Sequence, residues 1–338
     1  MGAMPPQLDA RPWPRELPEF IVAPRPTRQT DSAAASSPVL GPVSSSRHNS
    51  PDLAAQLQYA ARRTIDAIVC SVLDDDPHVR LCAAFAAREH ERVIRGINRL
   101  RDQTGTQRAC IALEADAPRP WDKALRAAAN AAGIGVVELP NHYPQADPAI
   151  LIYALADRPL RPGQLPVEAG ILLLDAPAAA VAGDPPGEIN PLPVGLLDHA
   201  SKQVVYLLAH ADSTLGDALQ AAGISAENKS IFAGDWRRKR PASSDQQPLN
   251  SGELTFHLFP QTAAPAPQPC IRCGWCLDVC PTQVWPALAL EAAQRGDAKI
   301  AARANASACI ECGLCDQICP SDLPLLQGVR IAQEINYC

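Results

Sequence analysis

Aromatic residues make up only 4% of this 338-residue chain, and no glycine stands between Gly41 and Gly96. Without glycine, backbone N–H groups cannot close around a pyrophosphate, so the first third of the chain carries no phosphate-cradling loop. Long apolar runs are missing too. The best, Ala169–Leu174, stops at Asp175, far short of the ~18 residues that a membrane span needs, so no direct membrane span is expected. Positive charge is not in excess: 30 Lys and Arg face 36 Asp and Glu, giving a net charge of -6 and a pI near 5.7. That balance argues against nucleic acid as a partner. The N-terminus lacks the charged-then-apolar order of a secretory signal, with prolines from Pro5 onward. The seven His show no metal-ligand spacing, and no nucleophile–base set or catalytic carboxylate pair is legible. What is abundant is proline, 34 residues, and cysteine, 12. With no secretory signal, so many thiols point to metal or redox chemistry in a reducing compartment.

Residues 1–55 hold ten prolines and a Ser-rich stretch, Ser32–Ser50. They read as extended or disordered, because they cannot bury enough apolar area to offset their ordering entropy. Short pieces such as Phe20–Val22 have the composition to lie against the body of the protein or a partner. Residues 56–185 alternate strand-like and helix-like patterns: strands at Ile65–Val72, Ala109–Leu113, Ile134–Leu139 and Ile171–Leu174, helices at Arg88–Arg101 and Asp122–Ala132. That order predicts a parallel sheet with helical crossovers. Residues 186–260 read as a small α+β unit, with strands at Gln203–Leu208, Ser230–Ala233 and Glu253–Phe259 and a helix at Thr214–Ala222. Residues 261–269 form a Pro/Ala linker, and residues 270–338 form the last domain.

That domain carries the strongest chemical signal. Cys270, Cys273, Cys276 and Cys280 precede Pro281, and Cys309, Cys312, Cys315 and Cys319 precede Pro320. C-x2-C-x2-C-x3-C-P, written twice, is the spacing of bacterial two-cluster [4Fe–4S] proteins, whose fourth cysteine ligates the other cluster. One cluster is therefore assigned to Cys270, Cys273, Cys276 and Cys319, the other to Cys309, Cys312, Cys315 and Cys280. Zinc would use the same thiols four at a time, but gives no reason for the third x2 spacing, the x3 spacing or the two prolines. Ile271, Val279, Ile310 and Ile318 stand beside the ligands as candidate shields, and Gly274 and Gly313 allow backbone N–H groups to approach sulfur.

The cysteine domain, from CIRCGWCLDVCP through ARANASACIECGLCDQICP to SDLPLLQGVRIAQEI, resembles the RnfC component of the Rnf (also called Rsx) electron-transport complex. The resemblance continues upstream through Arg88–Ile97, Val136–Leu155 and Arg158–Gly170. It implies an α/β, Rossmann-like core similar to the NADH-binding flavoprotein of respiratory complex I over residues 56–185. It also implies a β-grasp unit of the soluble-ligand-binding type over 186–260 and an α+β ferredoxin-like domain with two [4Fe–4S] clusters. Tyr143, Pro144 and Gln145 match a cofactor-contacting segment of that family. The family's Gly-rich phosphate loop is absent, its flavin segment is replaced by Cys70–Pro77 (CSVLDDDP), and Ala146 stands where the family has glycine. Bound FMN is therefore not expected.

The resemblance implies an electron-transfer subunit on the cytoplasmic face of a membrane. It would be held there by other subunits of an electron-transport complex and exchange electrons with a soluble partner such as ferredoxin or flavodoxin. Two other classes fit less well: an FMN-dependent NADH dehydrogenase subunit, and an assembly subunit whose clusters only stabilise the fold. Asp74, Asp75 and Asp76 read as a solvated turn at a strand end rather than as a metal site or flavin contacts. Arg237–Arg240 reads as a solvated loop with the charge to steer an acidic carrier. Trp275 is placed to cover a cluster, to form a docking contact or simply to pack, Cys70, Cys82 and Cys110 read as buried structural thiols, and Cys338 as an exposed one.

Overall fold

The computed structural model describes residues 19–24 and 53–337, apart from 75, 77, 116, 118, 141, 186–189, 211, 235–239, 243, 250–253 and 262–265. Asp75, Arg237, Arg238, Lys239, Cys338 and most of the 1–55 stretch lie outside the described residues. The described chain forms two compact units, residues 19–159 with 165–261 and residues 160–164 with 266–337.

The first unit enters with strand β1 (Phe20–Val22) and helix α1 (Leu53–Ala60). It continues as β2 (Ala67–Ser71), α2 (Leu81–Arg88), α3 (His90–Thr104), β3 (Ala109–Glu114), α4 (Arg119–Ala131), β4 (Gly135–Leu139), α5 (Pro148–Ala156), β5 (Ile171–Asp175) and α6 (Ala176–Gly183). Strands β4-β3-β2-β5 lie in that order, all parallel. They are apolar on both faces, as a sheet covered on both sides requires. Ile68 and Cys70 face the core built with α2, α3, α4 and α6, whereas Val69 and Leu173 face α5. Helices α3 and α6 approach closely at Gly96, where a Cβ would sit 1.7 Å from the Ala179 carbonyl oxygen. On β5, a sheet edge, the buried Gln56 amide accepts from the Leu173 N–H at 3.2 Å and donates to its carbonyl at 2.8 Å. A side chain of α1 thus satisfies backbone groups that an edge strand leaves open.

The chain then forms a hairpin, β6 (Leu192–Asp198) and β7 (Gln203–Ala209), followed by α7 (Leu215–Ala222), β8 (Lys229–Ala233), β9 (Arg240–Pro241) and β10 (Thr255–Pro260). Its sheet runs β1-β7-β6-β10-β8-β9, with β10 parallel to β6 at the centre. A hairpin, a helix and a last strand returning beside the first make a β-grasp fold. One face packs on α7 through Leu196, Leu207 and Phe256, and the other contributes Leu197, Leu208 and Leu254 to the core of the parallel sheet. Two strands depart from the sequence pattern, β6 and the two-residue β9, which takes Arg240 out of the expected solvated loop and pairs it with Ala233 of β8. β6 is invisible in that pattern, because its run is opened by prolines and interrupted by Gly195. β1 is the Phe20–Val22 piece expected to lie against the body of the protein or a partner, and it pairs in parallel with β7 and buries Phe20.

The second unit contains α8 (Trp275–Asp278), α9 (Pro286–Arg295), α10 (Ala298–Arg303), α11 (Leu314–Ile318) and α12 (Leu325–Tyr337). Its core is small: Ala289, Ala292, Ala301, Ala304, Ala306 and Ala332 with Val284 and Val329, and a second cluster of Leu325 and Leu326 against Cys276 and Cys315. An α+β domain would carry strands here, but the described residues hold helices and turns only. The cysteine runs coil, and coiling leaves no ladder partner. So thin a core needs a second source of stability, which metal binding supplies in small domains.

Candidate functional site

The two cysteine runs fold alike. Arg272 and Glu311 hold left-handed backbone at φ 57° and 56°, Gly274 and Gly313 follow at 85° and 72°, and Gln283 and Asp322 at 57° and 49°. Each residue is displaced from its counterpart by the same number of positions, as α9 is from α12, so the unit is an internal duplication. The left-handed residues turn the chain between successive cysteines and bring their side chains to one side.

The thiols gather in two groups, each drawing on both runs. Burial pushes the Cys276 thiol up, a backbone N–H from Ala287 pulls it down, and the nearby thiols of Cys273, Cys319 and Cys270 push it up again. Cys309 is pushed up to about 12, by burial first and then, against a hydrogen bond from Glu311, by Cys312 and Cys280. Cys315 is raised by burial, Asp316, Cys312 and Cys309. Cys319 thus sits with the first run's leading three cysteines, and Cys280 with the second's. Thiols crowded this way resist ionising together until a metal displaces their protons. The backbone N–H of Val284 donates to Cys280 Sγ and that of Glu311 to Cys309 Sγ, both at 3.3 Å. Such bonds stabilise charge on ligating sulfur. The two groups differ in exposure. Ile271 is 67% exposed and its counterpart Ile310 5%, so Ile271 does not shield its neighbours as expected. Val279, Ile318 and Trp275 are half-buried. A cleft of about 810 Å³ opens beside Cys270, Cys273, Cys276 and Cys319.

In the parallel sheet, ligands bind outside the carboxyl ends of the strands where strand order reverses, here between β2 and β5. The loop after β2 carries Asp74 and Asp76, and it is not the solvated turn the sequence suggested. Asp74 accepts from the N–H groups of Cys82 at 2.8 Å and Ala83 at 3.4 Å. It caps α2 from outside the helix, where an anionic ligand would otherwise sit. Burial dominates over those bonds and over the Arg80 charge, and its carboxyl is pushed up to about 7. Asp76 is 3% exposed. Its Oδ2 lies 3.0 Å from His257 Nε2, and His257 Nδ1 lies 2.9 Å from His199 Nε2. Burial alone would raise Asp76; the hydrogen bond and charge of His257 outweigh it and hold the carboxyl below its usual range. Trp121 on α4 is buried, and the cavity between Val72, Leu113 and Trp121 measures about 20 Å³, room for about one water.

Tyr143, Pro144 and Gln145 form the turn between β4 and the Asp147 cap of α5. Strand β3 separates β4 from β2, but Ala146, next to Gln145, shares a hydrophobic cluster with Leu73, next to Asp74. Pro144 is buried; Tyr143 and Gln145 are half-buried. Cys70 and Cys110 occupy opposite faces of the sheet, one in each hydrophobic layer. Sequence reasoning missed Gln56, Trp121 and the Asp76–His257–His199 chain. Residues so far apart in the sequence carry no local pattern that could have found them.

An α/β domain of the flavoprotein type joined to a two-cluster domain defines the class. Residues 52–181 match the Nuo51 FMN-binding domain family and residues 269–323 the 4Fe-4S dicluster domain family. The second match sets the zinc reading aside. More particularly, the chain is 24% identical over 241 residues to the RnfC protein of the Na(+)-translocating ferredoxin:NAD(+) oxidoreductase complex of Acetobacterium woodii, covering 69% of this chain and 54% of that one. It is 22% identical over 232 residues to the RnfC protein of the proton-translocating ferredoxin:NAD(+) oxidoreductase complex of Clostridium ljungdahlii, covering 67% and 50%. The resemblance to RnfC is borne out, and the chain spans about half the length of these curated relatives. Among solved structures, an NAD+-reducing [NiFe]-hydrogenase in the H2-reduced state aligns at 17% identity and a TM-score of 0.49, covering 62% of this chain and 43% of that one.

Proposed function

We propose that this chain is an iron–sulfur electron-transfer subunit of an Rnf-like, membrane-associated oxidoreductase complex. The observation that carries the reading is the sorting of eight thiols into two groups of four, each completed by the other run. Cys270, Cys273, Cys276 and Cys319 would hold one [4Fe–4S] cluster and Cys309, Cys312, Cys315 and Cys280 the other. Each cluster supplies a site that gains or loses one electron without making a bond. With every iron held by a cysteine, no position is open to a substrate, so the chain's own task is to hold, insulate and connect. Among the described residues no helix is long and apolar enough to cross a membrane, and association with one would go through other subunits of the complex.

FMN does not fit the residues present. The Asp74 carboxyl occupies the α2 amides that would face a phosphate, Asp76 adds a buried negative group, and no glycine stands between Gly41 and Gly96. A second reading, an FMN-dependent NADH dehydrogenase subunit, is favoured by the family match over residues 52–181. One experiment separates the two: anaerobic purification with iron, sulfide and flavin quantitation, then reduction by NADH or dithionite. The relay predicts about eight irons per chain, no flavin and reduction by dithionite alone. Stoichiometric flavin with NADH-driven bleaching selects the second reading, and a colourless chain rejects both.

A further inference from the structure

The two halves of the cluster domain follow one plan, and they differ where a helix begins after each cysteine run. In the first half the N–H of Ala287, the second residue of α9, donates to the sulfur of Cys276. In the second half the matching N–H, from Leu326 in α12, donates instead to Asp316 Oδ1 at 2.7 Å. Asp316 directly follows the third cysteine of its run, and Leu277 stands at that place in the first run. An apolar side chain in one copy is thus a carboxylate in the other, and its Oδ1 lies 3.9 Å from Cys315 Sγ. Arg330 faces Asp316 but also binds Glu311 at 3.0 Å, so two acids share one cation. Exposure differs as well: Cys270 and Cys273 are exposed, whereas their counterparts Cys309 and Cys312 are half-buried and buried.

Reducing a cluster adds one negative charge, and the ease of doing so is set by net charge, by hydrogen bonds to sulfur and by solvent. A carboxylate beside the sulfur and a drier surrounding both oppose the added charge. Two bonds act the other way, the N–H groups of Val284 on Cys280 and of Glu311 on Cys309, each at 3.3 Å. Those are dipoles, whose effect falls off faster with distance than that of the full charge on Asp316. Resting on the reading of the chain as a two-cluster carrier, we propose that Asp316 is a positioning residue for electrons: its carboxylate makes the cluster of Cys309, Cys312, Cys315 and Cys280 harder to reduce than that of Cys270, Cys273, Cys276 and Cys319. It acts through the Cys315 sulfur and through the Leu326 N–H that it holds. The first electron given to the oxidised chain then settles on the cluster of Cys270, and a second is needed to reduce the cluster of Cys309. No bond forms or breaks and no proton moves. Transfer from the less exposed cluster to the more exposed one is downhill, a direction that two identical halves would lack.

The experiment is an anaerobic redox titration of the full chain followed by electron paramagnetic resonance, with iron content and melting midpoint measured on each variant. Cys270→Ser marks which of the two waves belongs to its cluster. Asp316→Asn keeps an oxygen for the Leu326 N–H and removes the charge. It is expected to favour reduction of the Cys309 cluster about tenfold, a shift of ~59 mV for one electron, and to leave the other cluster within twofold. Leu277→Asp, at a position 37% exposed, places a carboxylate at the matching site and is expected to disfavour reduction of the Cys270 cluster by a similar factor. It keeps the proposal open to refutation should Asp316→Asn lose iron. Wild-type clusters that titrate together, an Asp316→Asn variant whose potentials stay put or move equally, or a Leu277→Asp variant that leaves the Cys270 cluster unmoved overturns the proposal while leaving the relay standing. A shift in melting midpoint without a shift in potential does the same. A chain without clusters overturns both.

Discussion

Gly96→Ala is the sharpest test of the packing that supports the α/β domain. A methyl group there would lie 1.7 Å from the Ala179 carbonyl oxygen and 3.0 Å from the Gly183 nitrogen, whereas ordinary contact begins at 3.4 Å. The obstacles are backbone atoms of α6, so no side-chain rotation relieves them. The helices must part by about 1.7 Å, and a gap of only ~0.5–1 Å already forfeits a quarter to a half of each dispersion contact. Val93, Ile97 and Leu100 on α3 and Ala176 and Ala180 on α6 would loosen together. Overpacking costs about 1–3 kcal/mol and sometimes more, while alanine returns at most ~1 kcal/mol of helix propensity. At the upper end of that range the net expectation is a loss of about 2 kcal/mol, or roughly 4–8 °C in apparent melting midpoint for a domain of this size. The assay is thermal unfolding by circular dichroism at one scan rate. Gly105→Ala is the comparison: it has open space but left-handed backbone at φ 73°, so its cost is about 1–2 kcal/mol from that conformation alone. A Gly96→Ala protein that melts at or above the wild type would refute the close helix approach.

Three further outcomes follow from the site and its surroundings. The Asp74 carboxyl has its folded pKa raised to about 7 from an ordinary 3.8, so its contribution to stability is full below about pH 4 and is lost as pH rises through 7, with a slope of up to ~1.4 kcal/mol per unit. Asp74→Asn should remove that slope from melting midpoints taken across pH 4–8; an unchanged slope would clear Asp74. Cys319→Ser should disturb the same cluster as Cys270→Ser, so the double variant loses no more electron paramagnetic resonance signal than either single one. Cys319→Ser with Cys309→Ser should lose both signals, and the reverse pattern would reassign the ligands. Gln56→Ala should cost about 1–3 kcal/mol, because it leaves buried polar groups of the β5 edge unpaired, and a neutral result in urea unfolding would show that water replaces it.

The parallel strands were legible because each is a short apolar run closed by a turn signal, and the observed β2, β3, β4 and β5 fall within a residue or two of the spans read from the pattern. Helix α3 was legible from Val93, Ile97 and Leu100. β6 was not, because Pro193 and Gly195 look like punctuation until β7 and β10 flank the strand and share its hydrogen bonds. The aspartate triplet misled for a related reason. In isolation three acids after a strand read as a solvated turn. Asp74 is half-buried because α2 starts beside it, and Asp76 is buried because His257 arrives from β10.

By itself the amino-acid sequence determined the chemistry of the tail. Cysteine spacing is a local property, and the repeated C-x2-C-x2-C-x3-C-P pattern points to two [4Fe–4S] clusters whatever the rest of the chain does. It also settled the alternation of apolar strand and helix, since periodicity is written residue by residue. Only the tertiary structure decided which groups share a neighbourhood: Asp74 on the amides of α2, Trp121 against the strand ends, Gln56 on the edge of β5, and Ile271 exposed while Ile310 is buried. Burial and charge pairing depend on distances through space between residues far apart along the chain, and those distances exist only once the sheets and helices have packed.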